Sequence, residues 1–157
     1  MLVLGVDPGL ATMGYGVVLE SDQQLVAIAY GVVRTPAGLP KAERLMQLHD
    51  QLDELLTTYR PNVAAVEELF FSTNARTALT VGEARGVVLL TLAQAGLSIA
   101  EYKPMEVKQA VTGYGGADKV QIQQMVRILL GLDDIPRPDD AADALAIAIC
   151  HHNSARL

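Results

Sequence analysis

Apolar residues along the first third of the chain fall into short runs broken by turn formers. Leu2 to Val6 is one run, closed by Asp7-Pro8-Gly9; Gly14 to Leu19 and Leu25 to Val33 are the next two. The polar segment Glu20-Ser21-Asp22-Gln23-Gln24 separates the second from the third, so the spacing predicts an antiparallel meander of three strands. From Pro40 the period changes. Leu45, Leu48, Leu52, Leu55 and Tyr59 recur at steps of three and four, which predicts an amphipathic helix stopped by Pro61. Val63 to Val66 is continuously apolar, as in a parallel strand covered on both faces, and ends in Glu67-Glu68. A helix follows over about Asn74 to Ala95, with Gly96 as its stop. Its latter half, Gly86-Val87-Val88-Leu89-Leu90, is apolar nearly all round, so it is buried in a core or against a partner. Ser98 to Tyr102 reads as a fifth strand and Pro104 to Val111 as a short helix. Thr112 to Gly116 is a loop, and Asp118 with Gln121 forms a capping pair for a helix to Leu130. Gly131 to Pro138 is a linker, and a last helix spans about Asp139 to His151. The whole predicts one α/β domain over residues 1–157, a mixed five-stranded sheet flanked by helices.

Composition narrows the class. Half of the 157 residues are hydrophobic, enough for a real core, which excludes a disordered scaffold. Eighteen acidic residues against twelve Lys and Arg give a formal charge of −6, which excludes a simple electrostatic DNA coat. A single cysteine, Cys150, rules out an intramolecular disulfide framework and multi-thiolate zinc sites, and fits a reducing cytoplasm. The start MLVLGVD lacks a basic n-region, and no apolar stretch approaches the ~18 residues of a membrane span. The expectation is a small, soluble, cytoplasmic domain with no membrane partner.

Four carboxylates sit where folding explains acids poorly. Asp7 ends the first strand and Glu67 ends the fourth, at the carboxyl ends where α/β sheets collect ligands. Asp140 and Asp143 are three apart on the last helix and share a face. Carboxylates gathered without a counter-ion repel one another, and a divalent cation removes that cost. Oxygen-only ligands suit Mg²⁺ or Mn²⁺. Two such ions about 4 Å apart assist phosphodiester cleavage. Plainer roles exist for each residue alone. An aspartate after a strand is often a turn residue, and Asp139 and Asp140 both suit a helix N-terminus. Spacing does not choose between Asp139 and Asp140, because each shares a face with Asp143.

Five blocks in order resemble the RuvC family of Holliday junction resolvases, which have a ribonuclease H-like fold. They are GVDPGLATMGYGV at 5–17, VEELFF at 66–71, EARGVVL at 83–89, EYKPMEVKQAVTGYGGADKVQIQQMVRILL at 101–130 and DDAADALAIAI at 139–149. The resemblance implies a homodimeric endonuclease that makes paired symmetrical nicks in four-way DNA junctions with metal-activated water. It assigns Asp7, Glu67, Asp140 and Asp143 to the catalytic and metal-binding set, choosing Asp140 over Asp139. It places Lys108 and Lys119 against phosphates, and Phe70 beside the site, where it would stack on an unpaired base. The apolar helix around Gly86 to Leu92 matches the family's dimer interface. The implied cofactors are Mg²⁺ or Mn²⁺, two ions per site; the implied partners are junction DNA, a second copy, and the branch-migration motor with its junction-binding protein.

Charge is the discordant property. Two divalent ions bring the formal −6 to about −2 per subunit. The remaining positive groups, including Arg76, Arg85, Lys103, Lys108 and Lys119, would then have to cluster on one face. Met125 and Cys150 read as packing, and His151 and His152 as polar groups favouring the last helix terminus. Two other classes compete. A nucleotide-binding domain of the sugar kinase and actin group needs two such folds, for which 157 residues are too few. A non-catalytic junction-binding module gains nothing from four acids facing phosphate.

Overall fold

The computed structural model describes residues 1–68 and 74–155. Its elements in chain order are β1 (Leu2–Asp7), β2 (Thr12–Ser21), β3 (Gln24–Arg34), α1 (Lys41–Tyr59), β4 (Val63–Glu67), α2 (Ala75–Gln94), β5 (Ser98–Tyr102), α3 (Pro104–Thr112), α4 (Lys119–Leu129) and α5 (Asp139–Ser154). The sheet order is β3-β2-β1-β4-β5, antiparallel through β3, β2 and β1 and parallel through β1, β4 and β5. β1 is central, and its four inner residues are all buried. That is why it reads as continuously apolar rather than alternating.

β2 and β3 outrun the apolar runs that announce them. They are joined by two residues, Asp22 and Gln23, both at positive φ, and the ladder reaches the Ser21–Gln24 pair. Backbone pairing of this kind continues through polar residues at the hairpin tip, where no hydrophobic pattern marks it.

Side-chain alternation divides the core. Leu4, Val6, Val17, Ala64 and Val66 face α1 and α2, packing on Leu48, Leu52, Leu56, Ala84, Val88 and Leu92. Val3, Val18, Val63 and Ala65 face α5, behind which lie α3 and α4 through Val107, Val111 and Val126. On α1 the buried row is Leu48, Leu52 and Leu56; Leu45, Leu55 and Tyr59 flank it at partial exposure. The Asp118–Gln121 capping box at the start of α4 is reciprocal, with bonds of 2.8 and 2.9 Å. Asn74 caps α2, accepting from the Arg76 and Thr77 N–H groups.

α5 lies directly against β1 and β2, and glycines make that approach possible. A Cβ on Gly5 would stand 2.1 Å from the Ala144 carbonyl oxygen, and one on Gly14 would stand 1.9 Å from that of Asp140. The facing helix is correspondingly small-sided, with Ala141, Ala142, Ala144, Ala146 and Ala148 all buried.

Both histidines lie in the last turn of α5, which ends at Ser154, as their position in the sequence suggests; the difference is that His152 is not a solvated end group. His152 is fully buried; its Nε2 donates to the Val18 carbonyl at 2.9 Å, and its Nδ1 lies 3.6 Å from Glu20. His151 Nδ1 is 2.7 Å from the Tyr102 hydroxyl.

Candidate metal centre

Strand parity brings the first two carboxylates together. Val3, Gly5 and Asp7 alternate onto the α5 face of β1, and Val63, Ala65 and Glu67 onto the same face of β4. The register pairs Gly5 with Ala65 and Val6 with Val66, so the next step sets Asp7 beside Glu67 at the strand ends. In the antiparallel direction Asp7 is paired with Gly14, the residue under the Asp140 backbone. The first turn of α5 therefore descends onto Asp7. Carboxylate oxygens of Asp7, Asp140 and Asp143 lie within 4.8 Å of one another.

Glu67 stands at the edge of this triad, close enough that its charge and those of Asp140 and Asp143 all bear on Asp7. Burial first, then the Asp143, Glu67 and Asp140 carboxylates, and a hydrogen bond with Asp140, push the Asp7 carboxyl up from 3.8 to about 8. Glu67 is also raised, by burial and Asp143, against the opposing charges of Lys108 and Arg85. Asp143 is raised by burial and held back by Lys119. Among the described residues, no salt bridge reaches any of the four. A half-buried, all-oxygen cluster whose carboxyls are pushed up by burial and by one another's charge is a donor set compatible with a hard divalent cation.

Asp139 has a different environment from its neighbour. Its Oδ2 lies 2.7 Å from Lys119 Nζ, and its Oδ1 accepts from Gln123 Nε2 at 3.0 Å. The Lys119 ammonium holds the Asp139 carboxyl below its usual range. Asp140 faces Asp7 instead, so the backbone separates two adjacent acids that spacing alone could not.

The cationic residues divide by position. Lys108, on α3, bears on Glu67, and Lys119, at the start of α4, bears on Asp143. Arg76 lines a cleft of about 480 Å³ with Gly9, Leu10, Ala11, Thr12 and Thr77, next to the turn that follows Asp7. Lys103 is exposed before α3. Arg85 leaves this group altogether: it turns inward, donating to the Glu67 carbonyl and pairing with Glu101. The sequence signal for that role was a lone arginine between Ala84 and the apolar run Gly86 to Leu90. Phe70 lies outside the described residues.

Comparison with known proteins agrees with this geometry. A family model described as Crossover junction endodeoxyribonuclease RuvC matches residues 3–151. The crossover junction endodeoxyribonuclease RuvC of Chloroflexus aurantiacus is 63% identical over 151 residues, which are 96% of this chain and 92% of the relative. The T. thermophilus RuvC structure in complex with Holliday junction substrate superimposes with a TM-score of 0.91 at 39% identity, covering 99% of this chain and 96% of that one. The yeast mitochondrial Holliday junction resolvase shares the fold, with a TM-score of 0.72 at 15% identity over 96% of this chain and 77% of the other.

Proposed function

The chain belongs to the RuvC family of crossover junction endodeoxyribonucleases, and on that premise we propose that its four gathered carboxylates form the hydrolytic centre of the enzyme. It is an endonuclease acting on four-way (Holliday) DNA junctions, built on the ribonuclease H-like sheet. The observation that carries the assignment is the meeting of Asp7, Asp140 and Asp143 within 4.8 Å, with no cation of the described chain paired to them.

In this reading Asp7, Glu67, Asp140 and Asp143 hold Mg²⁺ or Mn²⁺, two ions per site. When bound, the ions supply the positive charge that promotes attack of water on a phosphodiester and stabilises the leaving oxygen. The chain contributes the frame. Asp7 and Glu67 stand on paired strands, and Asp140 and Asp143 on one helix turn that the glycine-floored sheet holds close. Lys108 and Lys119 contact backbone phosphates at the rim, which positions DNA without reading its sequence. Phe70 stacks on an unpaired base at the opened crossover.

A homodimer completes the enzyme. The outer face of α2 carries Leu79 and Leu90, 64% and 56% exposed, with Gly82 and Gly86 open between them. A flat apolar face of that kind suits a two-fold contact, and a two-fold dimer presents two sites to two equivalent strands. The further partners are the branch-migration motor and its junction-binding protein, and the compartment is the cytoplasm. No helix among the described residues is long and apolar enough to cross a membrane.

The test is cleavage of a synthetic mobile four-way junction in Mg²⁺, Mn²⁺ and EDTA, with linear duplex and single strands as controls. Paired nicks on the junction alone are expected, absent in EDTA. Asp7→Asn should slow them roughly a thousandfold, the equivalent of about 4 kcal/mol of metal-dependent stabilisation. Junction binding with no nicks in either metal would make the protein a recognition module instead.

A further inference from the structure

Glu67 belongs to the last residue of β4, where strand pairing is running out. Beyond Tyr102 the neighbouring strand has no ladder donor left. The Lys103 N–H is taken by Glu106 Oε1 at 3.0 Å as α3 begins, and Pro104 has no N–H. The peptide that follows Glu67 is nonetheless held from two sides. The Glu68 N–H donates to the Tyr102 carbonyl at 2.8 Å, and the Glu67 carbonyl accepts from Nη1 of Arg85.

Arg85 reaches this carbonyl from α2, on the opposite face of the sheet from α5. Its other terminal nitrogen, Nη2, pairs with the Glu101 carboxylate, and the Arg85 side chain is only 12% exposed. The β4–β5 register sets Glu101 beside Val66, hence on the α2 face, while the Glu67 side chain alternates to the α5 face. Arg85 thus acts on Glu67 through the backbone from behind the sheet. A guanidinium is planar, so its two N–H directions are locked together; the fork fixes the Glu67 carbonyl relative to both β5 and α2. Without it, that carbonyl would be a half-buried acceptor with no donor, and the strand end would relax to find one.

We propose that Arg85, with Glu101 as its counter-charge, is a positioning residue for the metal centre, setting the aim of the Glu67 carboxylate by clamping the Glu67 carbonyl. The proposal rests on the reading of Glu67 as a metal ligand, and it adds a support that lies outside the carboxylate set. Groups that orient a ligand from behind typically cost 10–100-fold in metal affinity or activity when lost. Lysine in place of Arg85 keeps the charge and loses the fork.

The experiment is calorimetric titration of Mn²⁺ into metal-free protein, with thermal melts in EDTA on the same samples. The samples are the unmodified chain, Glu67→Gln, Arg85→Lys and Glu101→Gln. Arg85→Lys should weaken Mn²⁺ binding about tenfold, and Glu101→Gln, at the more exposed end of the clamp, roughly threefold in the same direction. A merely structural arginine would lower the melting temperature in EDTA and leave the Mn²⁺ dissociation constant unchanged. That result, with Glu67→Gln still weakening Mn²⁺, overturns the proposal while sparing the role of Glu67. If Arg85→Lys does not fold, Glu101→Gln decides by the same criterion. Unchanged Mn²⁺ binding in Glu67→Gln removes the ligand role and the positioning role with it.

Discussion

At the scale of single residues, the site is a problem of burial first and of repulsion second. Asp7 titrates near 3.8 when free and at about 8 in the metal-free fold. Between these values the folded chain holds a proton that the unfolded chain has lost, so stability falls as pH rises through the window. Glu67 and Asp143 shift in the same direction and add to the slope; His151, lowered by burial, opposes it. Melting temperature in EDTA should therefore drop from about pH 5 to about pH 8. Mg²⁺ or Mn²⁺ should flatten the curve by taking the place of the proton, and Asp7→Asn should flatten it without metal. A second prediction separates two neighbours. Asp140→Asn should slow junction nicking by roughly three orders of magnitude, whereas Asp139→Asn, which loosens exposed contacts with Lys119 and Gln123, should change it less than about threefold. Asp7 and Glu67 could be singled out in the sequence because each ends an apolar strand run; that both turn to the α5 face became visible only with the register of β1 and β4. Asp139 and Asp140 were not separable by spacing: their difference is which neighbour each meets, Lys119 or Asp7.

At the scale of elements, close approach sets the geometry. α5 can deliver Asp140 and Asp143 only because β1 and β2 leave no side chain beneath it at Gly5 and Gly14. Gly14→Ala should cost about 1–3 kcal/mol in urea unfolding, the usual penalty of overpacking. Because the added methyl meets the Asp140 backbone itself, nicking should fall further than the lost stability explains, at temperatures where the variant remains folded. The helices were readable from their periodicity and caps, since leucine spacing and an Asp–Gln box are local signals. The glycine seat was not, because its meaning depends on a helix more than a hundred residues away. His152 misled for a related reason. Two histidines at the end of an apolar pattern resemble a solvated terminus, yet the last turn of α5 is rotated so that His152 is buried under the Val18 carbonyl. Arg85 shows the same limit, being a cation counted with the surface but folded behind Glu67.

At the scale of the whole molecule, charge and assembly act together. An acidic chain can hold a polyanion only if its negative potential is local and neutralised where the strand is cut. Junction affinity should accordingly strengthen with divalent ions beyond their general screening effect. The outer face of α2 is where a second copy would dock, and Leu90→Glu tests it: 56% exposed, Leu90 contributes little to the monomer's core. On the proposed homodimer, sedimentation should show the unmodified chain as dimer and the variant as monomer at the same concentration. Its junction products should carry one nick rather than two symmetrical ones. The mixed sheet, antiparallel and then parallel with helices on its faces, was accessible from sequence, because it follows from the short β runs and the switch to helical period; the face each helix takes was not. How the positive groups are distributed was not, since that depends on where each helix is rotated.

The two halves of the carboxylate cluster come from opposite ends of the chain, Asp7 on its first strand and Asp140 and Asp143 on its last helix. A ribosome emits them in that order, and domains complete their packing only when the distant segment arrives. A growing or prematurely ended polypeptide can lay down β1, β2 and β3 and still own half a site. On the proposed reading of this cluster, a polypeptide that ends before α5 lacks Asp140 and Asp143, and such truncated products are expected to leave junctions unnicked.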